Sequence, residues 1–187
     1  MNIMVHPYEP IAVARDCEAV LIPHGTPILI QRGMTVYVTQ ALGGSVTVNV
    51  NGNLARIDGK DLDALAMEPQ TELTNAEARA DGNVDENLVW AQLRTCYDPE
   101  IPINIVDLGL VYECEISPGP NGKGNRVDVV MTLTAPGCGM GQFLVEDVKS
   151  KLEQVPNLTE VNVELTFDPP WNQDMMSEAA RLQTGMY

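Results

Sequence analysis

Residues 126–155 read RVDVVMTLTAPGCGMGQFLVEDVKSKLEQV and carry two different hydrophobic periods, one on each side of a glycine-rich turn. The first part alternates, as is typical of a β-strand. Its apolar positions are Val127, Val129, Met131 and Leu133. After PGCG the apolar residues recur at helical spacing. They are Leu144, Val148, Leu152 and Val155. The stretch therefore predicts a strand, a tight turn and a helix, in that order.

A helix and a strand precede this stretch, and another strand and helix follow it. Before it, DENLVWAQLRTCY (85–97) has a helical stripe that must end before Pro99, and LGLVYECEI (108–116) forms a strand. After it come the strand TEVNVELTF (159–167) and the helix SEAARLQ (177–183). The apolar side of that last strand consists of Val161, Val163, Leu165 and Phe167. The order α-β-β-α-β-α predicts an α+β fold, with a small mixed or antiparallel sheet and helices on one face.

The first third of the chain has a different character, because it is rich in short alternating segments. These are PILI (27–30), MTVYVTQ (34–40), SVTVNV (45–50) and NLARI (53–57). Asn51-Gly52 separates the last two and is a strong hairpin signal. We expect a small all-β N-terminal domain over 1–66, a polar and acidic linker over 67–83, and the α+β domain over 84–187.

The charge and cysteine content narrow the classes of function. Eleven basic against 26 acidic residues give a net charge of -15, which opposes binding to nucleic acid or to an anionic membrane surface. No apolar run approaches the roughly 20 residues of a membrane span, and MNIMVHPYEP does not read as a secretion signal. Four cysteines in 187 residues are too few for a disulfide scaffold. The sequence predicts a cytoplasmic protein.

The four thiols have different settings in the sequence. Cys96 and Cys114 share the apolar side of a helix and a strand, so we expect them to pack in the core, whereas Cys17 has no clear place. Cys138 lies between a strand and a helix, where a helix N-terminus would favour the thiolate form. Its glycine neighbours leave room for close approach. The alternative is a tight turn with an incidental cysteine.

A second segment, DPEIPINIVDLGLVY (98–112), collects three carboxylates. If Asp98, Glu100 and Asp107 lie beside Cys138, they could bind a metal through oxygen or accept protons. Alternatively, Asp98 caps the preceding helix or a turn, and Asp107 organises the entry to the next strand. For Asp107 the structural interpretation, organising the entry to the strand, is favoured. For Asp98 and Glu100 both remain open.

Three motifs in this order resemble the metal–sulfur cluster assembly factor domain of SufT-type proteins. They are DPEIPINIVDLGLVY, MTLTAPGCGMG and FDPPWNQDMMSEAA, within about residues 84–187. Residues 24–65 also look like the extension found in SufT-type proteins. The resemblance implies that Cys138 is the functional thiol, in the T-x-P-G-C motif. The supporting motif residues are Asp98, Glu100, Thr134, Pro136, Gly137 and Gly139.

The resemblance implies a non-catalytic role in iron–sulfur protein maturation, namely cluster assembly or transfer to apo-targets. Because a bound cluster normally needs several thiolates, Cys138 would be one ligand of a shared, transient and labile iron–sulfur cluster. No tightly bound cofactor is expected. The implied partners are scaffold or carrier proteins and apo-targets, and a homodimer stays open. The alternatives are an accessory factor of a multicomponent oxygenase and a thiol enzyme with Cys138 as nucleophile.

Overall fold

The computed structural model describes residues 9–68, 77–98, 100–137 and 139–186. The chain divides into two compact units, Met1–Glu72 and Leu73–Tyr187. Each is described here by itself. Residues 69–76 of the expected linker lie outside the described residues, and the bounds 1–66, 67–83 and 84–187 stay a prediction.

The N-terminal unit is a six-stranded antiparallel sheet with one short 3-10 helix. Its strands are β1 (Pro10–Ala12), β2 (Cys17–Leu21), β3 (Pro27–Ile30), β4 (Thr35–Leu42), β5 (Ser45–Val50) and β6 (Asn53–Ile57). They are ordered β1-β4-β5-β6-β2-β3, and Gly59–Leu65 forms the 3-10 helix. Asn51 and Gly52 both have positive φ, 51° and 85°, as the hairpin between β5 and β6 requires. The predicted β-rich character is confirmed.

Two of these strands were not expected from the sequence. β1 and β2 lie on either side of Arg15-Asp16, and the polar pair interrupts the alternation that would have revealed them. Cys17, which the sequence left unplaced, begins β2 and is buried in the core of this unit.

The described residues of the C-terminal unit form three helices and a three-stranded sheet. Its helices are α1 (Glu86–Leu93), α2 (Gly141–Leu152) and α3 (Glu178–Thr184), and its strands are β7 (Val111–Pro118), β8 (Asn125–Met131) and β9 (Leu158–Leu165). Two 3-10 turns, Pro120–Gly122 and Gln173–Met175, complete it. β7 pairs antiparallel with β8, and β8 pairs parallel with β9. The predicted α+β fold with a small mixed sheet is confirmed.

The two faces of this sheet differ in polarity. On β8, Val127, Val129 and Met131 are buried in one cluster with the apolar face of α2, which packs on α1 and β9. On the other face, Arg126 forms ion pairs with Asp128 at 2.6 Å and with Glu160 at 3.3 Å. The alternation read from the sequence therefore separates a core face from a solvated face.

One predicted strand position is wrong. Phe167 was expected on the apolar side of the last strand, but β9 ends at Leu165 and the Phe167 side chain is 44% exposed. The backbone turns here because the Thr166 hydroxyl and the Asp168 main chain hydrogen-bond to each other.

None of the helices in the described part of the chain has the length and apolar character that a membrane span requires.

Candidate functional site

Three loops meet at one end of the three-stranded sheet. Because β8 and β9 run parallel, their carboxyl ends lie together, and the amino end of antiparallel β7 joins them. The loops are 96–110 before β7, 132–140 after β8, and 166–177 after β9. Thr132 N–H donates to the Leu110 carbonyl at 2.8 Å, and Thr166 N–H donates to the Met131 carbonyl at 2.8 Å. All three motifs quoted from the sequence therefore reach the same end of the three-stranded sheet.

Cys138 itself lies outside the described residues, so its role as the functional thiol stays a prediction. Its neighbours in the chain are described. Pro136, Gly137 and Gly139 are all exposed, and Gly137 has a φ of 77°, which a side chain would disfavour. Met140 is buried immediately afterwards. The turn that carries the cysteine is thus open to solvent on both sides of it.

Helix α2 begins three positions after Cys138, at Gly141, as the strand–turn–helix pattern predicted. Its N-cap residue, Met140, makes no side-chain capping hydrogen bond, and its first turn contains no acidic residue. Among the described residues, neither the N-cap side chain nor an acidic residue of the first turn therefore offsets the positive end of this helix dipole. A Cβ at Gly141 would approach Leu133 Cδ1 to 2.6 Å, so close packing also favours glycine here.

Asp98 holds the loop before β7. Its Oδ1 accepts hydrogen bonds from the N–H groups of Glu100 and Ile101, both at 2.9 Å. The residue is 6% exposed, and burial raises the pKa of its carboxyl, although the two N–H donors oppose the rise. Asp98 therefore caps the turn that follows it, and not the preceding helix, which ends at Leu93.

The structure brings Asp98 together with Thr134 of the T-x-P-G-C motif. Thr134 Oγ1 lies 3.5 Å from Asp98 Oδ2, a contact at the long limit of a hydrogen bond. Glu100 is exposed and donates only its backbone N–H to this arrangement. The two motifs therefore lie side by side, with the buried carboxylate between the loop and the turn.

Asp107 has the structural role that the sequence favoured. Asn104 Nδ2 donates to Asp107 Oδ2 at 2.7 Å, and Asp107 N–H donates back to Asn104 Oδ1 at 2.9 Å. This reciprocal pair closes the turn before β7. Within the described ranges, no group of three or more His, Cys, Asp or Glu residues could hold a metal ion, so Asp98, Glu100 and Asp107 do not form an oxygen-ligand site.

The three described cysteines are packing residues. Cys96 is buried, with its Sγ 3.6 Å from the Gln92 carbonyl, and Cys114 packs half-buried against the same core, as predicted for both. Burial raises the pKa of Cys114 to about 11, with Glu86 adding to the effect. Burial also raises the pKa of Cys17. Burial therefore disfavours the thiolate form of Cys17 and Cys114, the form that acts as nucleophile or metal ligand.

Thr132, directly after β8, is a buried polar residue at the same end of the sheet, and the sequence did not single it out. It is fully buried, and its Oγ1 has no hydrogen-bond partner among the described residues. Its place in the alternating pattern gave no sign of this, because threonine is ordinary in strands.

We expect Thr132→Val to raise the free energy of unfolding by about 1 kcal/mol, because it removes an unsatisfied buried hydroxyl while keeping the shape. Urea unfolding of the full chain measures this. Thr159→Val is the matched control, because the Thr159 hydroxyl donates to the Asn125 carbonyl at 3.0 Å and its loss should not stabilise. A lower stability for Thr132→Val would show that the hydroxyl is satisfied.

Comparison with known proteins places residues 86–165 in the family described as iron-sulfur cluster assembly protein. A protein of Porphyromonas gingivalis named Fe-S protein maturation auxiliary factor is 48% identical over 101 residues, 54% of this chain and 90% of that protein. The Fe-S protein maturation auxiliary factor SufT of Staphylococcus aureus is 38% identical over 89 residues, 48% of this chain and 96% of that protein. The crystal structure of the domain of unknown function DUF59 from Bacillus anthracis is 35% identical, covers 55% of this chain and 92% of that one, and has a TM-score of 0.47.

Proposed function

Because this chain belongs to the iron–sulfur cluster assembly protein family, we propose that it is a non-catalytic maturation factor for iron–sulfur proteins. It assists the assembly of clusters or their transfer to apo-targets. The observation that carries the proposal is the 48% identity to a protein named as a maturation auxiliary factor, across 90% of that protein's length. The likeness of residues 24–65 to the SufT-type extension stays a prediction.

Cys138 is the thiol that acts in this proposal. Three features of its surroundings support the assignment. Its exposed neighbours, Pro136, Gly137 and Gly139, would let another protein approach the sulfur. Helix α2 follows, its N-cap residue Met140 makes no side-chain capping hydrogen bond, and the N-terminus of a helix favours a thiolate near it. The remaining cysteines are buried or half-buried and leave Cys138 as the candidate.

In this proposal the cluster is the cargo, and the protein binds it only transiently. One cysteine does not complete the ligand set of a cluster, so the other ligands come from a scaffold or carrier protein, an apo-target, a small thiol or a second copy of this chain. Incomplete ligation suits transfer because the cluster leaves easily. Asp98 and Thr134 support the turn by their contact and take no part as ligands. We expect this activity in the cytoplasm, and the sparse cysteines support that expectation.

Replacement of Cys138 by alanine tests the proposal in cells that lack the wild-type gene. We expect Cys138→Ala to fold normally but to restore less than a tenth of the iron–sulfur enzyme activity that the wild-type gene restores. The matched control is Cys114→Ala, which removes a half-buried thiol on β7 and should restore activity fully.

Full restoration by Cys138→Ala would contradict the role of the thiol. Turnover of a thioester or a disulfide by the purified protein would contradict the non-catalytic role and favour the thiol enzyme. If the wild-type gene restores the activity of a multicomponent oxygenase alone, the accessory-factor alternative is favoured instead.

A further inference from the structure

The segment after β9, residues 168–177 and called here the C-terminal segment, lies against the loop before β7. Its Trp171 is partly buried, and the indole Nε1 donates to the Leu108 carbonyl at 2.7 Å across 63 positions of sequence. The distance is that of a good hydrogen bond. A buried indole N–H needs such a partner, and the loop carbonyl supplies it.

Three further contacts hold the C-terminal segment to the same short stretch. Ser177 N–H donates to the Asp107 carbonyl at 2.8 Å. The Tyr112 hydroxyl donates to the Pro169 carbonyl at 2.8 Å. At Gly109 the missing side chain lets the main chain of Met175 approach closely. Together with the Trp171 contact, these bonds hold residues 107–112 from one side.

Hydrogen bonds inside the loop connect this held stretch to Asp98. Leu110 N–H donates to the Ile105 carbonyl at 3.0 Å, and Ile105 N–H donates to the Cys96 carbonyl at 2.9 Å. Asp98 N–H donates to the Ile103 carbonyl at 3.1 Å. A run of hydrogen bonds therefore connects the stretch held by the C-terminal segment to Asp98, whose carboxyl contacts Thr134.

We propose that Trp171 is a positioning residue for the candidate site. Its hydrogen bond to Leu108 fixes the loop so that the Asp98 carboxylate faces Thr134 and supports the turn that carries Cys138. This inference rests on the proposed function for its biological consequence, but its structural part stands on the contacts alone. Loss of the bond loosens the Asp98 turn while the core of the unit stays folded.

Amide hydrogen exchange of the 187-residue chain tests the inference. In Trp171→Phe, which keeps an aromatic ring and removes the N–H donor, we expect the Glu100 and Ile101 amides to exchange about three- to tenfold faster, the range for one lost hydrogen bond. The amides of β8 should change by less than twofold. Trp90→Phe is the matched control, because the Trp90 indole donates to Glu86 Oε1 on the surface of α1, and it should leave both sets unchanged.

Unchanged exchange of the Glu100 and Ile101 amides in Trp171→Phe overturns the proposal. If the β8 amides accelerate as much as those two amides, the variant is only globally destabilised, and the proposal is overturned as well. If Trp171→Phe does not fold, Tyr112→Phe removes a single hydroxyl from the same contact region and should give the same local pattern. An unchanged pattern in Tyr112→Phe then overturns the proposal.

The assay in cells that lack the wild-type gene distinguishes failure of the Trp171 role from failure of the proposed function. We expect Trp171→Phe to restore iron–sulfur enzyme activity less well than Trp90→Phe. If Cys138→Ala fails while Trp171→Phe restores activity fully, the positioning role is overturned and the proposed function stands. If Cys138→Ala restores activity fully, the proposed function fails, and the exchange rates alone decide whether Trp171 holds the loop.

Discussion

Gly109→Ala is expected to lower the free energy of unfolding by roughly 3 to 5 kcal/mol. Gly109 has a φ of 73°, a region in which a side chain costs about 1 to 2 kcal/mol. In addition, a Cβ at this position would meet the carbonyl of Met175, which is backbone and cannot turn aside as a flexible side chain can. Both effects act at the same place, where the loop before β7 and the segment after β9 touch.

Urea unfolding of Gly109→Ala and Gly122→Ala separates the two effects. Gly122 also has positive φ, 68°, but a Cβ there meets nothing within 4 Å. We expect Gly122→Ala to lose only about 1 kcal/mol, so the difference between the variants measures the clash with Met175. Equal losses in the two variants would mean that the clash with Met175 does not change the free energy of unfolding.

Asp98→Ala is expected to lower the free energy of unfolding by about 2 to 3 kcal/mol, whereas Asp98→Asn should not lower it at neutral pH. Alanine leaves the N–H groups of Glu100 and Ile101 without their acceptor. Asparagine keeps an oxygen at the Oδ1 position and removes the charge that burial disfavours. Equal losses in both variants would contradict the role of Oδ1 as a turn acceptor.

The pH dependence of the same variants tests the charge of Asp98. Its pKa is raised in the folded protein above the ordinary value of 3.8, so the folded state binds the proton more tightly than the unfolded state does. Stability from this group is therefore full below about pH 4 and falls as pH rises through the folded pKa. The difference in stability, Asp98→Asn minus wild type, should grow from pH 4 upward and then level off. A difference that shrinks with rising pH would contradict the raised pKa.

Much of the C-terminal fold follows from periodicity. The alternation Val127, Val129, Met131 places β8 with one buried face, and Leu144, Val148 and Leu152 orient α2 against it. These are local patterns, so a single sequence reveals them. β1 and β2 did not show this signal, because they are short and a polar pair, Arg15-Asp16, stands between them.

The candidate site was less predictable, because its contacts connect residues far apart in sequence. Trp171 and Leu108 are 63 positions apart, and Asp98 and Thr134 are 36 apart. The sequence identified all three motifs but could not show that the C-terminal motif holds the first one in place. It also could not decide whether Asp98 caps a turn or serves as a metal ligand or proton acceptor. The hydrogen bonds that show its capping role form only in the folded loop.

Cluster transfer measured with purified protein tests the central claim most directly. The 187-residue chain is incubated anaerobically with iron and sulfide, then mixed with an apo-enzyme that needs a [4Fe–4S] cluster, and the recovery of enzyme activity is followed. We predict that the wild-type chain and Cys114→Ala accelerate recovery over iron and sulfide alone, whereas Cys138→Ala, folded to the same extent, does not. Recovery as fast with Cys138→Ala as with wild type would contradict the claim that Cys138 is a transient ligand of the transferred cluster.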